Sequence, residues 1–351
     1  MLLPARSKIL VTASRSDPRI LIRGDGIAAC CCAHLLNKAG IGVALEPSNR
    51  PKVPALMLSD ASQSLVCDVF EQSDLFRDAP RVEKRVVAWG PEGKALPLPH
   101  SAVIISEEKL SQRVRPNVPS PAPLDPAPAW TIHSAPPLPP STEYRFGTRI
   151  AVAVHVNLRE ESDARACWIE GLESGWLFMI PAANRSAWLL AVGGPVQSLL
   201  AQSRLISAEI SGIIRVTGQF PAYPRISDPL CGSNWLACGA TAMSFDPLCG
   251  DGTGHAVREA ILAAAVIRAA LSGEDRDGLL EHYRARLLAG FYRHLELCRE
   301  FYTRGRIGPW WDVELAHLIK GLDYCKCAMT TGMRFRYQLT GFDLQPITHS
   351  R

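Results

Sequence analysis

Apolar positions first concentrate in Arg19–Arg23 (RILIR), a run short enough for a strand. A Gly-Asp-Gly turn follows at 24–26, then a small-residue helical stretch from Ala28 to Ala39, which Gly40 ends. Ile41–Leu45 is a second β-type run closing on Glu46, so the pattern predicts a βαβ unit. An extended stretch Arg50–Ser59 leads into an amphipathic helix reaching about Leu75, and Val86–Gly90 reads as a strand. Residues 116–140 carry ten prolines, which predicts an extended connector with neither helix nor central strand. From Phe146 the text alternates in short runs: Arg149–Val156, Ala166–Ile169, Gly175–Ile180 and Ala187–Val192, an antiparallel sheet. Val196–Ser211 reads as an amphipathic helix, and Tyr223–Pro224 as an extended return. Asn234–Ala242 is a strand running into a turn, and helices are expected over His255–Leu271 and Asp275–Tyr302.

Composition narrows the classes. The chain has 351 residues, 47% hydrophobic and 21% charged, enough for two domains or one large α/β domain with an insertion. A net charge of +4 is spread without a block of like charges, so no nucleic-acid footprint is expected. The most apolar helix carries Arg258, Glu259 and Arg268, so no membrane span is expected. The N-terminus lacks the apolar core of a signal peptide, which places the protein in the cytoplasm with reduced cysteines. Cys325 and Cys327 are too closely spaced for a zinc knuckle, and no metal is expected.

Two glycine turns carry the candidate chemistry. Gly24, Gly26, Ile27, Ala28 and Ala29 form a G-x-G-x-x-A fingerprint between strand and helix. Gly24 allows the turn, Gly26 the approach of a pyrophosphate to a helix N-terminus, and Ala29 close packing. Glu46, 22 residues after Gly24, is placed to accept from a ribose. Asp25 inside the turn opposes a phosphate unless it points away. Downstream, Gly250, Asp251, Gly252, Thr253 and Gly254 open the long helix as a nest of backbone N–H groups, fit for an anion or a flavin carbonyl edge. His255 starts that helix and could face such a ring, whereas His34, His100, His133 and His155 have no paired carboxylate or serine in the text.

With Asp246 and Pro247 ahead of the second turn, the combination resembles the FAD-dependent monooxygenases of the aromatic-hydroxylase type. It is most similar to the branch of flavin-dependent tryptophan halogenases and tryptophan-modifying flavoproteins. The similarity covers residues 19–113 and 230–312. It implies an α/β fold: a Rossmann-type, GR2-like FAD-binding domain, an inserted antiparallel substrate sheet and C-terminal helices. The corresponding partition is 1–115 and 230–272 for the FAD domain, 116–145 for the proline-rich connector, 146–229 for the substrate sheet and 273–351 for the helical region. FAD would be held by the two turns together with Asp246 and Pro247. Trp176-Leu-Phe178-Met-Ile-Pro resembles the family's W-x-W-x-I-P, and Trp310 and Trp311 its aromatic turn beside the substrate tunnel, so all four aromatic residues are candidate substrate contacts.

The implied activity is oxygenation of a tryptophan- or indole-like ring, free or in a peptide, through a flavin C4a-hydroperoxide. Electrons would come from NAD(P)H directly or through a flavin reductase. No residue is singled out as catalytic acid or base. Departures define the alternatives. Ala240 stands where relatives have Asp after the turn glycine, and Glu107 where they have Arg after serine. No Asp-Gly turn occurs between 114 and 150. The halogenase lysine, eight residues before Trp89, is Arg81 here, with Lys84 off register. A halogenase, or a degenerate flavoprotein that binds a partner without catalysis, are the competing readings.

Overall fold

The structure is a computed structural model, and it describes residues 20–116, 118, 127–249, 251–330 and 335–347. The chain opens as its pattern requires, with β1 (Ile20–Arg23), α1 (Ile27–Lys38) and β2 (Val43–Glu46). It continues through β3 (Leu56–Ser59), α2 (Asp60–Phe70), β4 (Arg81–Ala88), β5 (Leu96–Ile105) and α3 (Glu107–Val114). Next come β6 (Trp130–His133), β7 (Thr142–Arg145), β8 (Ile150–Leu158), β9 (Ala166–Leu172), β10 (Gly175–Ala182) and β11 (Ser186–Gly193). Two short helices, α4 (Val196–Gln202) and α5 (Ile206–Glu209), lead into β12 (Ile210–Pro221). The remainder is β13 (Arg225–Asp228), β14 (Cys231–Gly232), β15 (Trp235–Ala237), β16 (Met243–Ser244), α6 (Gly252–Leu271), α7 (Arg276–Gly305), α8 (Pro309–Thr330), β17 (Tyr337–Thr340) and β18 (Asp343–Pro346).

One sheet has the order β14-β15-β6-β1-β2, and β15, β6, β1 and β2 run parallel. Helices α1 and α6 pack side by side against this unit. Small residues make that possible: Ala28, Ala29 and Cys30–Cys32 on α1, and Ala260 and Ala263–Ala265 on α6, are buried. A second sheet has eight strands, β12-β8-β11-β10-β9-β4-β5-β3, antiparallel except at the β4–β9 pair. Three of its strands, β3–β5, come from the stretch before residue 115. Helices α4 and α5 cover one face, burying Leu177, Met179, Leu189, Val196, Leu199 and Ile206 together. The antiparallel runs expected after Phe146 form β8–β11, in register.

Three expectations need correction. The proline-rich stretch does contain a central strand: β6 pairs with β1 on one side and β15 on the other. Its four residues, Trp-Thr-Ile-His, are free of proline, so every ladder N–H is present, and Trp130 and Ile132 bury against the core. The helix expected over Val196–Ser211 is broken after Gln202. The buried carboxylate of Glu170 receives the N–H groups of Arg204 (2.8 Å), Leu205 (3.0 Å) and Ile206 (2.9 Å), capping a new short helix. Finally, Ile210 and Ser211, expected to end that helix, instead begin the edge strand Ile210–Pro221, which its β-branched residues and three register irregularities shape.

Candidate functional site

The first turn sits at the C-terminal ends of β1 and β2. Gly24 has φ +117°, and a Cβ there would overlap Ser134 Oγ, so glycine is required. Its N–H donates to Glu46 O at 2.7 Å, tying the turn to the end of β2. Gly26 is the N-cap of α1 in an extended conformation with no side-chain cap, which leaves the first-turn N–H groups without a capping side chain. Ala28 and Ala29 are buried, and a Cβ on Gly239 would stand 3.1 Å from Ala28 Cβ. The first glycine turn therefore lies close to the turn at Gly239 that follows β15.

The charges around this turn are paired. Asp25 accepts from Ser48 Oγ (2.8 Å) and faces Lys52 Nζ (2.7 Å). Burial works to raise the Asp25 carboxyl, but Lys52 and Ser48 together hold it below its ordinary value. Glu46 receives Arg23 Nε at 3.0 Å. Arg50 donates to both oxygens of Glu107, one contact at 3.0 Å, and Val53 N–H adds a third bond to Glu107 at 2.8 Å. A Cβ on Gly26 would lie 3.2 Å from Arg50 Nη2 and 3.7 Å from Glu107 Oε1. The Arg50–Glu107 pair thus stands beside the first glycine turn, with arginine supplied from position 50 and the acid at 107.

The second turn starts α6. Asp251 is its N-cap residue, and its carboxylate accepts from Ser62 Oγ on α2 and from Arg258 (2.8 Å). A Cβ on Gly252 would meet nothing within 4 Å, whereas one on Gly254 would collide with the Asp251 carboxylate. Thr253 lies in the first helical turn, and Gly250 lies outside the described residues. Gly239, with φ +62°, donates its N–H to Glu259 Oε2 at 2.7 Å. Glu259 is sealed among apolar groups, and burial raises its carboxyl to about 8 against the lowering effect of that N–H. Two uncapped helix N-termini, open space at Gly252 and a ribose-height acid at Glu46 fit the pyrophosphate, ring edge and sugar of FAD. Ala240 is exposed and offers no side-chain bond in place of the expected aspartate.

Asp246 is fully engaged by the protein. Its Oδ2 accepts from Arg149 Nε (2.9 Å) and Tyr302 OH (2.9 Å) and is ion-paired to Arg149 Nη2 at 2.8 Å, and its Oδ1 accepts from Leu248 N–H (2.8 Å). Arg149 also meets Glu314, which accepts from Thr148 N–H and Oγ1 (2.7 Å). Arg149, Asp246 and Glu314 are all buried, so this is an internal ionic brace joining β8, the second turn and α8. Pro247 opens the short turn Pro247–Cys249. His294 Nε2 accepts Asp246 N–H at 2.9 Å, so that nitrogen carries no proton, and burial lowers His294 to about 3. Cys298 Sγ lies 3.3 Å from the same nitrogen and 3.4 Å from Cys249 Sγ. His255 stacks on Phe245 with centroids 4.0 Å apart. Burial holds His255 below its ordinary value, although Asp251 acts in the opposite sense.

The aromatic candidates divide. Trp176 has no exposed surface and donates to Tyr302 OH (3.1 Å); Trp311 is equally buried and donates to Leu172 O (2.8 Å). Trp310 is half-buried against Tyr302 and Trp311, while Phe178 stands half-buried on the sheet face opposite α4 and α5. Sequence reasoning missed Trp188, which shares that face and stacks on His155 at 4.5 Å. Lys84 is ion-paired to Asp163 at 2.8 Å and lies opposite Ala166, on the α4–α5 side of the sheet.

Known structures share this architecture. A peptidyl tryptophan dihydroxylase essential for tryptophylquinone biogenesis superposes with TM-score 0.72 at 19% identity, over 85% of this chain and 79% of that one. A myxobacterial chondrochloren halogenase gives TM-score 0.72 at 15% identity, over 84% and 85%. The p-nitrophenol 4-monooxygenase of Pseudomonas putida DLL-E4 gives 0.63 at 14%, over 88% and 98%. No protein-family model matches the sequence, and no curated protein matches it. Among the described residues no helix is long and apolar enough to cross a membrane. The chain has the fold of the FAD-dependent hydroxylases and halogenases.

Proposed function

We propose that this protein is an FAD-dependent oxidoreductase, a monooxygenase acting on an aromatic, tryptophan- or indole-like ring. The observation that carries the reading is the pair of helix N-termini without a capping side chain, α1 at Gly26 and α6 at Asp251, on two helices that pack against each other. Bound FAD would supply the oxidising chemistry once reduced and exposed to oxygen. The chain's part is to bind, orient and exclude water. The α1 N–H groups, with Gly24 and Gly26 giving access, would take the pyrophosphate, and Glu46 the adenosine ribose. The N–H groups of Gly252, Thr253 and Gly254 would fix the ring's electron-rich edge. The Arg149–Asp246–Glu314 brace holds the second turn rigid against the sheet. Phe178 and Trp188 would stack the substrate ring.

Residues 1–115 and 230–272 would form the cofactor domain, with β3, β4 and β5 of the first part lending strands to the substrate sheet of 146–229; 273–351 would be the helical support, with 116–145 joining them. Reduction by NAD(P)H, directly or through a flavin reductase, and a cytoplasmic location complete the proposal. Hydroxylation is favoured over halogenation because Lys84 is committed to Asp163 on the α4–α5 side. The test is purification and titration with FAD. A yellow protein that consumes reduced flavin and oxygen and adds oxygen to an indole supports the proposal. A colourless protein that does not quench added FAD overturns it.

A further inference from the structure

The face of the eight-stranded sheet opposite α4 and α5 carries one continuous row across the strands. Register places Arg85 beside Cys167, Ile180 beside Trp188, Trp188 beside His155, and His155 beside Arg215. Cys167 and Ile180 close the row through the β9–β10 pairing, and they pack together. The row therefore reads arginine, apolar, apolar, tryptophan, histidine, arginine. Cys167 and Ile180 are buried, whereas Trp188 and His155, with Phe178 and Leu190 in the adjacent row on the same face, each keep part of their surface.

The two arginines differ from most on this chain. Among the described residues neither is ion-paired to a carboxylate. Arg85 Nη2 meets neutral His100 Nε2 at 3.0 Å, the guanidinium also meets the Cys167 thiol, and Arg85 Nε is buried without a hydrogen-bond partner. Arg215 lies over the Trp188 ring at 5.9 Å and is otherwise solvated. Asp60 stands near His100, but it accepts from Ser101 (2.9 Å) and Gln63 (3.2 Å). Desolvation, then Arg85, lowers His100, and desolvation, then Arg215, lowers His155, so both rings stay neutral and leave the arginines as the charges.

Arg85 on β4 and Arg215 on β12 are five strand spacings apart, about 24 Å. No small aromatic acid reaches both. An extended segment of about seven residues does. We propose that this face binds an acidic peptide segment laid across the strands, with acidic residues at Arg85 and Arg215 and an aromatic side chain held at Phe178 and Trp188. This deepens the substrate assignment and rests on the proposed function for its catalytic meaning, but binding itself needs no flavin.

The probe is a dye-labelled nonapeptide with two glutamates at each end and a central tryptophan, followed by fluorescence anisotropy with and without FAD. The expected results are saturable binding, a loss of at least tenfold in Arg85→Met and in Arg215→Met, and no binding of the same peptide with lysine for glutamate. Thermal melts of both variants confirm that they remain folded. Equal affinity for the acidic and basic peptides, or no binding of the acidic one, overturns the proposal. So does indole-3-acetate binding that depends on Arg85 alone and displaces the peptide fully, since this would mark a small-anion pocket. FAD titration in the same samples is a separate readout, so failure of the flavin reading and failure of the peptide reading are distinguishable.

Discussion

Replacing Glu107 by glutamine should tighten FAD binding about tenfold. Glu107 Oε1 lies 3.7 Å from where a Cβ on Gly26 would stand. An anion held by the N–H groups of that turn would sit within about 6 Å of the carboxylate. Two like charges at that distance repel by about 0.7 kcal/mol at a water-like dielectric and by about 2.8 kcal/mol at an effective dielectric near 20. The Glu107 side chain is only 8% exposed and Arg50 is 44% exposed, so an intermediate figure of about 1.5 kcal/mol applies, which is about tenfold in affinity. Glutamine keeps an acceptor for Val53 N–H, and it releases Arg50 from its bidentate grip so that the guanidinium can turn toward the phosphates. The cost is one half-exposed ion pair, about 1 kcal/mol of stability or less. The assay is quenching of FAD fluorescence on titration with protein, run beside a thermal melt. An unchanged or weaker FAD affinity in a variant that melts normally would refute the placement of Arg50 and Glu107 over the pyrophosphate turn.

Further consequences are equally measurable. Gly24→Ala should destabilise the protein by about 2–4 kcal/mol in urea unfolding, because alanine is strained at φ +117° and meets Ser134. Asp246→Asn should cost about 3–5 kcal/mol, since Arg149 is left buried with one carboxyl partner instead of two; a fall in Tm of only a degree would contradict that. Glu259 has a folded-state pKa raised to about 8, above its unfolded value of about 4.5. Its protonated form therefore stabilises fully below pH 4.5, and that contribution is lost as pH rises to 8, with a slope of about 1.4 kcal/mol per pH unit. Glu259→Gln should lack this slope, so the stability difference between variant and parent should itself change by about 1.4 kcal/mol per pH unit over that range, and parallel stability–pH curves would argue that the carboxyl ionises in the folded state as it does in the unfolded one.

What the sequence made legible was local. The βαβ unit, the α6 helix with its glycine turn and the strands from Arg149 to Val192 each carry their own period or turn residues. The missed elements depend on partners far along the chain. Trp130–His133 is a strand because β1 and β15 flank it, and its proline-rich surroundings hide that. Glu170 caps the start of α5, accepting the N–H of Arg204 from 34 residues away. Arg149 reaches Asp246 across 97 residues and Glu314 across 165, so no spacing rule could have paired them. The cluster of Cys249, His294 and Cys298 had half a signal: His294 and Cys298 are four apart on one helix face, but Cys249 arrives only through the fold. The exchange of charge at position 107 was visible in the text, and Arg50 standing opposite it was not.

These pairings also fix how the two parts of the site should respond to salt. At the first glycine turn three cations have counterions: Arg23 with Glu46, Lys52 with Asp25, Arg50 with Glu107. The local field is then set mainly by helix N–H groups, whose influence is short-ranged and tied to direct contact. On the sheet face, Arg85 and Arg215 act as unpaired charges at opposite ends of a partly open surface. Screening shortens from about 14 Å to about 4 Å when ionic strength rises from about 0.05 to 0.5 M, which removes most of the attraction between exposed charges. FAD affinity should therefore change by less than about threefold over that range, while the acidic nonapeptide should weaken by about tenfold or more. A strong salt dependence of FAD binding in the parent protein would mean that Arg50 is not neutralised by Glu107. The Glu107→Gln variant should show that dependence for the same reason, because it leaves Arg50 without its carboxylate.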